Sequence, residues 1–403
     1  MRVRDGLAAM VLSAVALAGA GCDDADPAAA PVDVSQELVV PPDAKTVELR
    51  AKTASLFEET VFLVVHATRT GARVGFDSEL HKAATEELQH TTEELVETVS
   101  PLFEEGSGER FSDRYSALLE RARGYGREQL EPEFADTPFR REIEERIKAL
   151  KTVLADSSLH LDAEDLDEHL ALTVEEMLLA LDRLGLDSRG QLSHTTAAAH
   201  RSRGLAAVIA AAIARESGET RNQATSEAAR LYADLRTLLE EDVHLSFAAV
   251  QVGLGEEFDS VFLTASREVD QSATLFADRL ATIPQLPGDR RPIRDALRRH
   301  WQLVALYARE AAGDVPDLTK FEIEAELKAV TELFAGLLAE RTAIVRETLL
   351  EPLDAADKAL LEAVEALADE SPEAYTKLAE ALDRTADAAD VLTDGVLRAQ
   401  AGG

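Results

Sequence analysis

Residues 49–71 read LRAKTASLFEETVFLVVHATRTG, and residues 231–253 read LYADLRTLLEEDVHLSFAAVQVG. In the first stretch Leu49, Leu56 and Leu63 are seven positions apart, two helical turns, and further apolar residues lie between them on the same face. The second stretch aligns with the first without a gap after a shift of 182 positions. The pair therefore predicts one helix that occurs twice.

The same shift aligns a much longer part of the chain. It gives 25 identities in the 96 ungapped positions 49–144, where about seven would be expected from a composition rich in Ala, Leu and Glu. The matches include Gly71 with Gly253, Tyr125 with Tyr307, Phe76-Asp77-Ser78 with Phe258-Asp259-Ser260, and Arg127-Glu128 with Arg309-Glu310. Shared composition and helical period explain only part of this agreement. We therefore predict a tandem duplication.

Capping residues, prolines and glycines divide each copy into about six helices. The expected starts lie near Pro41, Asp77, Glu109, Thr137, Asp162 and Ser188 in the first copy, and near Glu219, Glu257, Arg291, Asp317, Pro352 and Ser371 in the second. The third helix is expected to end near Tyr125. No stretch alternates apolar and polar residues as a strand would. The prediction is an all-α protein of two tandem helical bundles, at residues 44–225 and 226–403.

The N-terminus has the layout of a secretory signal peptide. Arg2 and Arg4 precede an apolar run that is too short to span a bilayer as a helix, and small residues follow it up to Cys22. We assign residues 1–21 to the signal peptide. Residues 22–43, rich in Ala, Pro, Asp and Val, are expected to form a disordered tether.

Cys22 is the single cysteine of the chain and stands directly after the small residues. This arrangement resembles the lipobox of bacterial lipoproteins, in which the cysteine is acylated and becomes the mature N-terminus. One position departs from the pattern, because Gly19 stands where a leucine is usual. The alternatives are ordinary signal cleavage after Ala20 and, more remotely, an uncleaved anchor. The resemblance implies a protein of the cell envelope that faces the periplasm or the cell exterior.

The net charge restricts the partners. With 42 basic and 76 acidic side chains, the chain carries a formal charge of −34. Affinity for nucleic acid comes largely from Lys and Arg that displace counterions, so nucleic acid is excluded as a partner. An acidic surface does not bind anionic lipid headgroups either. Contact with a membrane is therefore expected through the N-terminal lipid alone, and the protein or small-molecule partner stays unidentified.

Two Glu-x-x-His pairs are candidate metal ligands, Glu87 with His90 and Glu241 with His244. Residues three apart share a helix face, as in ferritin-like carboxylate bundles. Chance alone gives about two such pairs for this composition, and the pairs lie at non-equivalent places in the two copies. The alternative interpretation is that they lie on solvated helix faces.

A second candidate site is a polar cluster that recurs in both copies. Its members are Glu58, Glu59 and Arg127 in the first copy and Glu240, Glu241 and Arg309 in the second. We expect Arg127 to meet Glu58 or Glu59 across the bundle, and Arg309 to make the corresponding pair. Such pairs either fix the packing of helices or line a ligand pocket.

Residues 169–176 read HLALTVEE. This segment resembles the His-Leu-x-Leu-Thr-x-x-Glu helix of a poorly characterised family of small bacterial helical proteins. The family's first helix carries Leu-Trp-x-x-His, whereas residues 56–60 read LFEET, with Thr60 in place of the histidine. The resemblance covers less than a tenth of the chain and implies a helical fold without a known activity.

Motifs for nucleophilic or phosphate chemistry are not found in the sequence. It contains no Gly-x-Ser-x-Gly, no phosphate-binding glycine loop and no His-Glu-x-x-His. We therefore predict a non-enzymatic scaffold or binding module without a cofactor. The alternatives are a ferritin-like metal-binding bundle and a small-ligand receptor with a site between the repeats.

Overall fold

A computed structural model describes residues 44–103, 107–131, 138–158, 160–161, 163–184, 188–216, 224–254, 258–283, 289–313, 318–342 and 344–401. These ranges contain twelve α-helices and no strand, which confirms the all-α prediction. None of these helices is long and apolar enough to cross a membrane. The predicted signal peptide (1–21), Cys22 and the predicted tether (22–43) lie outside the described residues.

The first half of the described chain contains α1 (Ala44–Val74), α2 (Glu79–Val99), α3 (Ser107–Leu130), α4 (Phe139–Ser157), α5 (Ala163–Asp182) and α6 (Ser188–Glu216). The second half contains α7 (Glu227–Gly253), α8 (Phe258–Ala281), α9 (Arg291–Ala311), α10 (Lys320–Thr342), α11 (Arg346–Ala368) and α12 (Glu373–Ala401). A single 3-10 turn, Ser100–Leu102, follows α2.

The helix bounds repeat with the period of the sequence alignment. When 182 is added to the first residue of each helix from α1 to α6, the sum falls within three residues of the start of the corresponding helix from α7 to α12. This agreement extends past residue 144, where the sequence identity fades. The predicted boundary between residues 225 and 226 falls just before α7.

Four predicted bounds differ from the structure. Ser78, not Asp77, caps α2, because its side chain accepts a hydrogen bond from the backbone N–H of His81. Helix α7 begins at Glu227 rather than near Glu219, because Ser226 caps it in the same way. Helix α3 continues to Leu130, five residues beyond the predicted end.

The start of α11 was also predicted wrongly. The helix begins at Arg346, after the extended residue Val345, and Pro352 lies inside it. Pro352 is the seventh residue of the helix and lacks the N–H that would bond to the carbonyl of Thr348, and the helix continues past it. Pro352 therefore does not mark a helix boundary.

Helices α1 and α7 form the centre of the bundle. They pack against each other, and each also packs on the second and sixth helices of its own half. Between the halves, α2 packs on α12 and α8 packs on α6. Such reciprocal contacts are what a two-fold relation between the halves produces. Phe62 and His244, which are 182 positions apart, stack with ring centres 4.5 Å apart.

The apolar core crosses from one half to the other. Its main cluster of buried side chains extends from Val47 to Leu382 and includes members of both halves. A second cluster, between Leu231 and Val396, belongs to the second half. Residues 41–403 accordingly form one compact unit.

A glycine allows α3 to approach α1 and α5 closely, and its replacement is expected to destabilise the protein. A Cβ atom on Gly126 would lie 2.6 Å from Cγ2 of Thr68 and 3.0 Å from Cδ2 of Leu181. We expect Gly126→Ala to lower the free energy of unfolding by about 1 to 3 kcal/mol, because helix α3 has to shift outward. Urea denaturation followed by circular dichroism measures the change.

Gly336 in α10 is the matched control. A Cβ atom there would meet only Nε of Arg346, at 3.9 Å. Gly336→Ala should therefore raise stability by up to about 1 kcal/mol through helix propensity. Equal effects of the two substitutions would contradict the close packing of α3.

Candidate functional site

Arg203 on α6 joins two buried carboxylates from the two halves. Its Nε donates to Oε2 of Glu58 on α1 at 2.7 Å, and Nη2 donates both to Glu58 and to Glu241 on α7. Nε2 of His200 lies 2.8 Å from Oε2 of Glu241. We call these four residues the Arg203 cluster. It connects α1, α6 and α7 at the centre of the bundle.

Burial and ion pairing oppose each other at the titratable groups of the Arg203 cluster. Burial raises the pKa of Glu58 to about 7, although Arg203 opposes the shift. Burial acts in the same direction on Glu241, but His200 and Arg203 outweigh it and hold the pKa of Glu241 below its ordinary value. Burial is likewise outweighed at His200, where Glu241 raises the pKa. Arg203, and His200 when it is protonated, thus compensate the charge of the two buried carboxylates, which is how a buried charge set is tolerated.

Gln251 is the centre of a second buried polar cluster, between α1, α7 and α12. Its Nε2 donates to the Thr70 hydroxyl at 2.7 Å and to the Tyr375 hydroxyl at 2.9 Å. Its Oε1 accepts from Nδ1 of His66 at 2.9 Å, so the network assigns the proton of this ring to Nδ1. Burial lowers the pKa of His66 to about 4, despite the bond to Gln251. His66 is therefore neutral at pH 7.

His300 on α9 lies between two aspartates. Its Nε2 is 2.7 Å from Oδ1 of Asp357 on α11, and its Nδ1 is 3.5 Å from Oδ2 of Asp242 on α7. Thr331 on α10 donates to the other oxygen of Asp357. Burial disfavours the charged ring, but Asp357 and Asp242 outweigh burial and raise the pKa of His300 to about 10. The ring is an imidazolium at neutral pH, and both of its nitrogens are donors.

A small cavity lies beside His300. It contains about 40 Å³ of free space, which is room for about three water molecules. Apolar side chains of α7, α9, α10 and α11 line most of it. Its polar end is formed by Asp242, His300, Thr331, Asp357 and Thr385. An apolar cavity with a few converging polar groups is the usual form of a small-ligand site.

The predicted pair of Arg127 with Glu58 or Glu59 is not formed. Nε of Arg127 donates to Glu131 at 2.6 Å, and its guanidinium lies 4.7 Å from the ring centre of Phe76. The end of α3 packs beside Thr68, which is ten residues, about 15 Å, beyond Glu58 along α1. Arg127 is therefore at the wrong level of the bundle to reach the carboxylates.

The other members of the predicted polar cluster are also placed differently. Glu59 accepts a hydrogen bond from Thr91 at 3.0 Å, and burial raises the pKa of Glu59 to about 8. Glu240 accepts from Arg236 of its own helix at 3.0 Å. Arg309 lies in the last turn of α9, as Arg127 does in α3. Glu58, Glu240 and Glu241 are buried, and the arginine that bonds to both Glu58 and Glu241 is Arg203.

The two predicted Glu-x-x-His pairs lie in different surroundings. His90 is exposed on α2, and Glu87 is half-buried there. Glu241 belongs to the Arg203 cluster, and His244 stacks on Phe62. Within the described ranges, no group of three or more His, Cys, Asp and Glu side chains could hold a metal ion.

His169, in the segment with the family resemblance, packs on Gly204 of α6. A Cβ atom on this glycine would lie 2.3 Å from Nδ1 of His169. The histidine thus contributes to the contact between α5 and α6. Its hydroxyl-bearing neighbour Thr173 bonds to the backbone oxygen of His169 at 2.7 Å.

Sequence comparison between the copies could not find Arg203 or His300. The position 182 residues after Arg203 is Thr385, and the position 182 residues before His300 is Leu118. Each residue occurs in one half alone, so a search for residues repeated between the halves does not detect it. The signal that was available is the rarity of charged residues within apolar stretches, as at Arg203 before Leu205.

A comparison of the chain with protein-family models, curated proteins and solved structures finds no match.

Proposed function

We propose that this chain is a lipid-anchored, extracytoplasmic helical protein that binds a partner or ligand and catalyses no reaction. The observation that carries the proposal is the position of Cys22, the single cysteine, at the end of a segment with signal-peptide layout. Each buried CH₂ of an acyl chain contributes about 0.8 kcal/mol to membrane binding, and two or more chains give stable attachment.

The interior of the described chain supports a binding role over a catalytic one. In the Arg203 cluster the carboxylates bond to Arg203 and His200 and are closed off from solvent. In the cluster around Gln251 the amide and both hydroxyls bond to one another. These polar groups hold helices together and do not line a cleft. In the cavity beside His300, by contrast, polar groups border free space.

We also infer that the two halves are copies of one six-helix unit. The inference is supported by the 25 identities in positions 49–144, by the matching helix bounds and by the reciprocal contacts of α1 with α7, α2 with α12 and α8 with α6. Copies that pack in this way share one core and act as one body.

The anchor is tested by replacing its attachment residue. We expect Cys22→Ser to abolish incorporation of labelled palmitate in a bacterial host and to prevent stable association of the processed protein with membranes, because the thiol that carries the acyl chain is gone. Membrane fractionation with immunodetection measures the association. Asp24→Ser, which introduces the same residue two positions later, should leave labelling unchanged. Equal labelling of the wild type and Cys22→Ser would refute the anchor.

A small-ligand receptor is the second candidate function. The cavity beside His300 favours it, although this cavity lies within the second half and not between the repeats. The metal-binding alternative stays a prediction that stoichiometric metal in the purified protein would support.

A further inference from the structure

Aromatic side chains in the first half fill the space that corresponds to the cavity beside His300. Leu239 and Leu297 line the cavity, and the residues 182 positions earlier are Phe57 and Tyr115. These two rings pack edge to face with their centres 5.8 Å apart. Leucine is smaller than these aromatic rings. Part of the volume that the rings occupy in the first half is therefore empty in the second.

Tyr115 also brings a hydroxyl group to this place. Its OH lies 2.8 Å from Oγ1 of Thr60, and Thr60 occupies the position that corresponds to Asp242. The first half therefore contains, as part of its own chain, an apolar body that ends in a hydroxyl group.

The polar end of the cavity offers a place for another hydroxyl. Nδ1 of His300 is buried and makes no hydrogen bond to any group of the described residues. It lies 3.5 Å from Oδ2 of Asp242, too far apart for a good direct bond. A hydroxyl oxygen that stands beside this pair, on the cavity side and about 2.8 Å from each atom, can accept from Nδ1 and donate its own hydrogen to the carboxylate.

We propose that the cavity beside His300 binds a small alcohol, whose hydroxyl group bridges Asp242 and His300 while its carbon atoms contact Leu297 and the other apolar lining. This inference rests on the proposed binding role and names the class of ligand. An ammonium group has no lone pair to accept from Nδ1, and a carboxylate would face Asp242 and Asp357. The free space of about 40 Å³ admits a body of about three or four non-hydrogen atoms.

Three probes of similar shape distinguish the need to donate a hydrogen bond from the need to accept one. 2-Propanol donates and accepts, acetone accepts without donating, and the isopropylammonium ion donates without accepting. Titration of the purified full-length protein, labelled at its methyl groups and observed by NMR, should show saturable shifts at Leu297, Thr331 and Leu353 with 2-propanol. We expect millimolar affinity. Acetone and isopropylammonium should bind at least about fivefold more weakly, because each loses one hydrogen bond.

The first half supplies the variant that blocks the cavity. Leu297→Tyr introduces the residue found at position 115, whose ring and hydroxyl would occupy the cavity, and it should abolish the saturable shifts. Leu337→Tyr is the control, because Leu337 lies on α10 outside the cavity lining and is half-buried. It should leave 2-propanol binding unchanged.

The outcomes are separable. Saturation with the expected order of probes supports the alcohol site. Shifts that rise linearly without saturation, or equal affinity for all three probes, would overturn it. This comparison is made on the wild-type protein, so it does not depend on whether Leu297→Tyr folds. Unchanged binding by a folded Leu297→Tyr protein would also overturn it. Membrane attachment is measured independently, so loss of the alcohol site leaves the anchor proposal standing.

Discussion

Replacement of Arg203 by methionine is expected to lower the free energy of unfolding by about 3 to 5 kcal/mol at pH 8. The substitution keeps much of the side-chain length but removes the cation between Glu58 and Glu241. Both carboxylates are closed to solvent, with 2% and 0% of their side chains exposed. Without Arg203 they lie near each other with His200 as their remaining cation, so one of them has to be buried without a partner or protonated.

The loss of unfolding free energy in Arg203→Met should depend on pH. Burial, partly offset by Arg203, raises the pKa of Glu58 from 4.5 to about 7. The folded protein therefore holds a proton that the unfolded chain releases, and the contribution of this group to stability falls as the pH rises through that window. Removal of Arg203 raises the folded pKa of Glu58 further, so the pH range over which this stability is lost extends upward. The variant should consequently be less impaired at pH 5, where Glu58 is protonated, than at pH 8.

Urea denaturation at the two pH values measures this effect. Arg201→Met is the matched control, because Arg201 is exposed on the same helix. Arg201→Met should change the free energy of unfolding by no more than about 0.5 kcal/mol. An equally small loss in Arg203→Met would mean that the cluster is solvated and does not hold the halves together.

Replacement of His300 by leucine is expected to lower the free energy of unfolding by about 3 to 5 kcal/mol at pH 6. Leucine is the residue at the corresponding position 118 of the first half. What is lost is the imidazolium that faces Asp242 and Asp357. In the folded protein these carboxylates, outweighing the burial of the ring, raise the pKa of His300 from 6.5 to about 10.

The sign of this shift sets the pH dependence. A group with a raised folded pKa contributes its full stability below the unfolded pKa and loses it as the pH rises through the folded pKa. The difference between the wild type and His300→Leu should therefore be largest at pH 6 and shrink toward pH 10. Chemical denaturation at pH 6, 8 and 10 measures it. His90→Leu, at an exposed histidine of α2, should change little at any pH. If the unfolding free energy of His300→Leu is lower than that of the wild type by the same amount from pH 6 to pH 10, His300 is not charged in the folded protein.

Much of the fold could be predicted from the sequence, because helix periodicity, caps and the 182-residue shift are local or repetitive signals. Burial is harder to predict, as two corresponding phenylalanines show. Phe139 is 9% exposed because Gly124 gives its ring room, whereas Phe321 is 77% exposed. Leu306 stands at the position that corresponds to Gly124, so the glycine that makes room for Phe139 is not repeated in the second half.

The candidate sites were predicted in part. The repeated glutamates Glu58 and Glu241 are indeed buried and paired, but the choice of Arg127 assumed that repeated residues contact one another. Arg203 and His300 break the repeat, and their roles depend on which helices lie beside α1 and α7. Sequence periodicity carries no information on such neighbours.

The mass of the mature protein, extracted from membranes with detergent, tests the central proposal of a lipid-anchored binding module most directly. We predict a chain that begins at Cys22 and carries the added mass of its acyl chains. A chain that begins at Gly21 without added mass, as ordinary cleavage after Ala20 would leave it, would contradict the proposal.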